Sequence, residues 1–166
     1  GGPFPVYRSA SGTHWLVESG IGRTNAAAAM LHLHHVSDAP PHAAWINVGI
    51  AGHRDIPIGE ARIVHQVKEA STGRTFYPIQ VFTPPFEPAS LTTVDRVAEV
   101  LEAGTLYDME GAAVIDLGGR LSAPELVACV KVVSDHGVAP GQYPSRAQVT
   151  EWIAGQMAPI LRLVDG

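Results

Sequence analysis

Two carboxylates stand where side chains of their type could do chemistry. Glu110 lies in Thr105-Leu106-Tyr107-Asp108-Met109-Glu110-Gly111-Ala112-Ala113, where a short apolar lead-in meets two acids flanking a methionine. The small residues that follow start a helix. Acids at the first turn of a helix sit where unpaired backbone N–H groups and the macrodipole favour negative charge. A carboxylate so placed can accept two hydrogen bonds from neighbouring hydroxyls, and a ribose 2′,3′-diol presents such a pair. The same stretch also reads as an ordinary acidic helix start over a small-residue packing face. The second acid, Asp135, follows the apolar run 126–133 in Ser134-Asp135-His136-Gly137. An Asx turn would account for an aspartate there, but no helix begins directly after it, so N-capping does not. A carboxyl partly withdrawn from water holds its proton more tightly and can deliver it to a leaving group.

A diol-holding carboxylate and a proton-donating carboxyl together suit the breaking of an N-glycosidic bond. The transition state of such a reaction resembles an oxocarbenium ion, and the departing base must be protonated at a ring nitrogen. The logic parallels glycoside hydrolysis by two carboxylates.

The elements that must position these acids follow from pattern. Residues 7–17 form a hairpin with Ser11-Gly12 as its turn and His14-Trp15-Leu16-Val17 as the returning strand. Ser19-Gly20-Ile21-Gly22-Arg23 then leads into an alanine-rich helix over about 24–36. Strand, glycine loop and helix can cradle an anion or a ribose through outward backbone N–H groups. This loop is too short for a Walker motif and lacks G-x-G-x-x-G spacing. Ala44-Trp45-Ile46-Asn47-Val48 reads as a strand buried on both faces, ending in a small-residue loop, Gly49-Ile50-Ala51-Gly52-His53. Such loops bring backbone close to a ligand at the carboxyl edge of a sheet.

Further strands are predicted over 61–67, 75–77 and 91–94, with a Pro-rich loop at 83–88. A helix over about 109–121 is weakened at its end by Gly118-Gly119, and 126–133 is a buried strand. Ser145-x-x-Gln148 is a capping box. The helix it opens runs to about Leu163, with Trp152, Ile153, Met157, Ile160 and Leu161 inward. Irregular alternation of strands and helices with hairpins predicts a mixed sheet in a three-layer α/β/α domain. Three segments, 49–52, 108–110 and 134–135, each follow a buried strand, and a shared sheet edge would gather them into one pocket.

Composition narrows the function classes. The 166 residues make one domain, long enough for a sizeable core. Hydrophobic residues are 46% and charged ones 16%, so the chain folds rather than staying disordered. No apolar stretch reaches the roughly 18 residues of a membrane span. Gly1-Gly2-Pro3-Phe4-Pro5 has no basic region before an apolar core, so no signal peptide is expected, and a start without methionine points to a processed or truncated beginning. Cys129 is the lone cysteine, a small buried hydrophobe in Leu126-Val127-Ala128-Cys129-Val130, which fits a reducing cytoplasm. A net charge of −5 without a basic cluster argues against nucleic acid and leaves a small ligand or a protein partner.

Ser19-Gly20-Ile21-Gly22, Ile46-Asn47-Val48-Gly49-Ile50-Ala51-Gly52, Asp108-Met109-Glu110 and Val133-Ser134-Asp135 stand in the order and context of the nucleoside phosphorylase-I superfamily. Over roughly 7–164 the chain most resembles the methylthioadenosine/S-adenosylhomocysteine nucleosidases. The resemblance implies a nucleoside phosphorylase-like domain over 1–166 and a homodimer acting on a purine nucleoside or thionucleoside without cofactor or metal. By it Glu110 would hold the ribose hydroxyls, and Met109 would pack on the sugar. Asp135 would protonate the purine at N7, while Ile50, Ala51 and Gly52 would line the sugar and water side. Val94-Asp95-Arg96 falls where the family's base-contacting loop begins.

Departures from the pattern bear on the reaction. Phosphorolytic relatives place an arginine where Asn47 stands, which favours hydrolysis. The nucleosidases carry a serine where Ile50 stands. The family's first strand, whose loop supplies the glutamate that activates water, precedes the first residue of this chain, and Glu18 does not match it. The loss of that strand would leave an unpaired edge in the sheet. The segment before Asp108 is shorter than usual. Three readings follow: a nucleosidase, a phosphorylase using phosphate, and a non-catalytic nucleoside-binding or interaction member.

Histidine supplies no better centre. His32 and His35 can share a helix face with His34 and His42 nearby, but no carboxylate at helical spacing completes a metal site. His53-Arg54-Asp55 reads as an anion contact or a surface pair, the latter favoured. His136 either tunes its neighbour Asp135 or faces solvent.

Overall fold

The computed structural model describes residues 2–81, 83–137 and 142–165. A hairpin of β1 (Val6–Arg8) and β2 (Trp15–Val17) opens the chain, with Gly12 at φ 77° in its turn. Helix α1 (Arg23–Ser37) follows, its buried residues Ala26, Ala29, Met30 and Leu33 recurring every three or four positions. The main sheet contains β3 (Trp45–Gly52), β4 (Ala61–Glu69), β5 (Thr75–Phe76), β6 (Pro88–Thr93), β7 (Thr105–Asp108) and β8 (Val127–Asp135). Helix α2 (Gly111–Leu121) lies between β7 and β8, and α3 (Arg146–Gly155) and α4 (Met157–Asp165) end the chain.

The strand order is β5-β4-β6-β7-β3-β8, and β4 also pairs with β8. The sheet thus closes on itself. It is mixed: β3–β8, β4–β6 and β6–β7 run parallel, while β3–β7, β4–β5 and β4–β8 run antiparallel. The weak joint is β3–β7, which meet only at Gly52 and Tyr107. Along 45–51 the second edge of β3 has no strand partner among the described residues.

Alternation along β8 divides the core into two layers. Val127, Cys129 and Val133 face the layer that holds Met30, Leu33, Val114 and Ile115 of α1 and α2. Val130 and Val132 face Trp152, Ile153, Ile160 and Leu163 of α3 and α4. The three-layer arrangement with a mixed central sheet is the one predicted.

Several boundaries differ from the sequence pattern. The small-residue segment 49–52 continues β3 instead of leaving it, because β8 pairs with it as far as Asp135. The predicted 91–94 strand begins earlier, at Pro88. The last helix is two: the capping box at Ser145 and Gln148 is formed, but α3 stops at Gly155 and Gln156 separates it from α4. Pro159 sits in the first turn of α4, where its missing N–H has no helical partner to lose. The break resets the helical phase, so Ile160 and Leu163 are buried while Met157 and Leu161 are exposed.

The two glycines near the end of α2 have opposite roles. A Cβ on Gly118 would lie 2.7 Å from Cγ1 of Val127, whereas one on Gly119 would meet nothing within 4 Å. Gly118→Ala is therefore expected to destabilise by about 1–3 kcal/mol through overpacking. Gly119→Ala should stabilise by roughly 0.5–1 kcal/mol through helix propensity. Urea unfolding of both variants checks the opposite signs.

Candidate functional site

Asp135 ends β8, where the parallel partner is Gly52 of β3. Its Oδ1 accepts from the Gly137 N–H at 2.9 Å and its Oδ2 from the Ser134 hydroxyl at 2.8 Å. The backbone around it is tied down as well, since the His53 N–H donates to the Asp135 carbonyl at 3.0 Å. A side chain on Gly52 could not share this place: its Cβ would stand 2.9 Å from Asp135 Oδ1. The carboxylate is half-buried and fixed by its neighbours.

Glu110 stands at the N-cap of α2. Its Oε1 accepts from the Gly22 N–H at 2.6 Å across 88 residues of sequence, and its Oε2 is 3.4 Å from the Met109 nitrogen, which donates to it. The glycine loop before α1 and the acidic segment before α2 thus form one unit. A carboxylate has about four acceptor positions, so lone pairs remain for a ligand's hydroxyls.

Beneath Glu110 lies a buried ion pair that the motifs do not reveal. Lys131 is 1% exposed, and its Nζ is 2.8 Å from Asp108 Oδ2. Asp108 also accepts from the Thr93 hydroxyl and from the Gly111 N–H, both at 2.7 Å. Thr93 Oγ1 in turn accepts from the Ala112 N–H at 3.0 Å. Burial by itself would push the Lys131 ammonium down, but the Asp108 carboxylate beside it holds it above its ordinary value. The signal was present in the sequence as a lone lysine inside the apolar strand run. Nearby, Asn47 accepts from Cys129 Sγ at 3.4 Å, and burial pushes that thiol up to about 12.

The remaining candidates are less open to a ligand. Ile50 is half-buried, and Ala51 is covered within the α1–α2 side of the core. Met109 lines a hollow of about 270 Å³ with Ile21, Gly22, Arg23, Asn25 and Asp95. Arg23 is itself held by Glu69 and Asp95. Asp135 lines a second hollow of about 290 Å³ with Ile58, Ser134, His136, Tyr143 and Trp152. Gly52 joins them, for it pairs with Tyr107 on one side and Asp135 on the other. Two strand spacings, about 10 Å, therefore separate those residues. The segments that carry the two acids meet β3 at Gly52, at one edge of the sheet, but they border two hollows rather than one.

His53 and His136 secure this edge. His53 is buried, and its Nδ1 accepts from the N–H groups of Asp55 and Ile56 at 3.0 and 2.9 Å. His136 is exposed and places Nδ1 2.8 Å from the His53 carbonyl, which fixes that nitrogen as the donor. Arg54 and Asp55 form the expected exposed pair at 3.7 Å. Burial lowers the His53 pKa from 6.5, with Arg62 and His136 acting in the same direction and Asp55 opposing. The unfolded chain gains a proton at His53 near pH 6.5, before the folded one does. Its contribution is therefore complete above that pH and is lost as the pH falls below it. Acid titration of urea stability should fall less steeply for His53→Asn, which keeps an acceptor but cannot titrate.

Among the described residues no group of three or more His, Cys, Asp and Glu is placed to hold a metal ion. His32 instead packs against Gly2 and Phe4, and His34 against Trp45. No helix among the described residues is long and apolar enough to cross a membrane.

No protein-family model matches the chain, and no curated protein matches it. Solved structures do. A nucleosidase (MTAN) from Chlamydia trachomatis, bound to MTA, is 20% identical over 98% of this chain and 87% of its own, with a TM-score of 0.70. The 5′-methylthioadenosine/S-adenosylhomocysteine nucleosidase of Helicobacter pylori, with butyl-thio-DADMe-Immucillin-A, is 11% identical over 98% of this chain and 84% of its own, with a TM-score of 0.72. Futalosine hydrolase of Helicobacter pylori is 11% identical over 91% and 78%, with a TM-score of 0.69. The chain shares the fold of these solved structures, two nucleosidases and a futalosine hydrolase.

Proposed function

We propose that this protein is an N-ribosyl hydrolase that cleaves the glycosidic bond of a purine nucleoside or thionucleoside. The observation that carries the reading is the Asp135 carboxyl. It is held by Ser134 and Gly137 at the end of β8, facing a hollow, in a fold shared with nucleosidases. In this reading a proton on Asp135 passes to a ring nitrogen of the purine as the glycosidic electron pair leaves with the base. Glu110, steadied by Gly22, accepts hydrogen bonds from the sugar hydroxyls and favours the positive charge that grows on the ring. Met109 packs on the sugar, with Ile50 and Gly52 on its other side. Water then adds at the anomeric carbon, and the proton it sheds passes through solvent to restore the Asp135 carboxyl.

Asn47 in place of a phosphate-binding arginine supports hydrolysis over phosphorolysis. A nucleoside-binding member without turnover is the second reading, favoured by the apolar Ile50 and by the hydrogen bond that Glu110 already accepts from Gly22. A homodimer and a cytoplasmic setting belong to the proposal: Tyr77, Ile79 and Val81 are exposed in alternation along 77–81, and Cys129 is a free thiol.

Adenine release from methylthioadenosine, followed with and without phosphate, tests the reading. Release independent of phosphate is expected, and release only with phosphate would establish a phosphorylase. Calorimetric binding without release would favour the non-catalytic reading. Sedimentation equilibrium checks the dimer.

A further inference from the structure

The segment 95–104 crosses the sheet edge between the two hollows. It starts beside Met109, where Val94 and Asp95 line the first hollow and the Val94 N–H donates to the Asp108 carbonyl at 2.8 Å. It then reaches the second, for a Cβ on Gly137 would stand 2.9 Å from the Glu99 carbonyl oxygen. It has no helix or strand, and Leu101 is its one buried side chain, 7% exposed. Val97 and Val100 face outward.

Leu101 is seated on Gly52. A Cβ on that glycine would lie 3.1 Å from Leu101 Cδ1 and 2.9 Å from Asp135 Oδ1. The strand order puts β3 between β7 and β8, so whatever rests on Gly52 stands between the hollow of Met109 and the hollow of Asp135. Besides Leu101, the segment is held at its start by the ion pair of Asp95 with Arg23 and near its end by the Glu102 N–H, which donates to the Tyr107 hydroxyl at 3.4 Å. Gly104, at φ 83°, supplies a flexible end before β7.

We propose that Leu101 is a latch and 95–104 a strap, which in the seated position divides the nucleoside site into its sugar half and its base half. Resting on the nucleosidase reading, this gives the site a gate of its own. Withdrawal of Leu101 from Gly52 joins the two hollows into one cleft that spans sugar and base. The ligand must displace the strap, so its apparent affinity is reduced by the fraction of molecules with the strap open.

The test combines stopped-flow binding of methylthioadenosine with amide hydrogen exchange of the strap, in the wild type, Leu101→Ala and the milder Leu101→Val. Association about tenfold faster in Leu101→Ala, with Leu101→Val between, is the expected result. In the ligand-free protein, exchange over 95–104 should rise in the same order while β8 stays protected. Equal association rates in all three proteins would overturn the latch and leave the nucleosidase reading standing. A rise in exchange over β8 as large as that over the strap would also overturn it, by making Leu101 an ordinary core residue. Absence of binding to any of the three would overturn the nucleosidase reading and the latch together.

Discussion

Asp135→Asn is expected to slow adenine release from methylthioadenosine by about 10²–10⁴-fold, the usual contribution of a positioned general acid. Asparagine has nearly the shape of aspartate. Its carbonyl oxygen can still accept from the Gly137 N–H, and its amide nitrogen can donate to a Ser134 hydroxyl turned to accept. The variant should keep the fold and the ligand while losing the transferable proton. Three readouts separate these: base release by chromatography, methylthioadenosine affinity by calorimetry, and the thermal midpoint. A large fall in turnover with affinity and midpoint nearly unchanged assigns the chemistry to Asp135. Undiminished turnover in the asparagine protein would remove Asp135 from the reaction, whatever the fold resembles.

The second large effect is on stability. Lys131→Met should cost about 3–5 kcal/mol, because it leaves the Asp108 charge buried without its counter-ion. For a chain of this length that corresponds to a fall of roughly 6–20 °C in Tm. Thr93 and the Gly111 N–H still donate to Asp108 in that variant, but neither supplies a full positive charge. Adding Asp108→Asn removes the stranded charge, so the double variant should recover much of the loss. The four proteins form a double-mutant cycle read by urea unfolding. If the double variant is as unstable as the sum of the singles, the pair is not coupled. The consequence for function is positional, since Asp108 and its partners fix the start of α2, where Glu110 stands.

Local features were legible in the residues themselves. The hairpin turn at Ser11-Gly12 and the capping box at Ser145 and Gln148 formed as read, since their partners lie within a few positions along the chain. The buried strand of 126–133 is marked by an apolar run interrupted only by Lys131, and the acid after it by its place at a strand end. Where the fold departs from local pattern, a distant partner decides. Small residues at 49–52 look like a loop in isolation, but β8 supplies hydrogen bonds that extend β3 through them. The apolar spacing of 152–161 suits one helix, but the interruption at Gln156 turns the second part, so Leu163 replaces Leu161 on the inner face.

By itself the sequence determined the layer architecture and the identity of the two candidate acids. Period, turn chemistry and the placement of acids at element ends are properties of neighbouring residues. Tertiary structure decided what surrounds those acids: the hydrogen bond from Gly22 to Glu110, the burial of Lys131 against Asp108, and Leu101 seated on Gly52 beside Asp135. Each of these joins residues remote in the chain, and strand register and helix packing set their separation. A shift of one residue in a strand would turn each side chain to the opposite face.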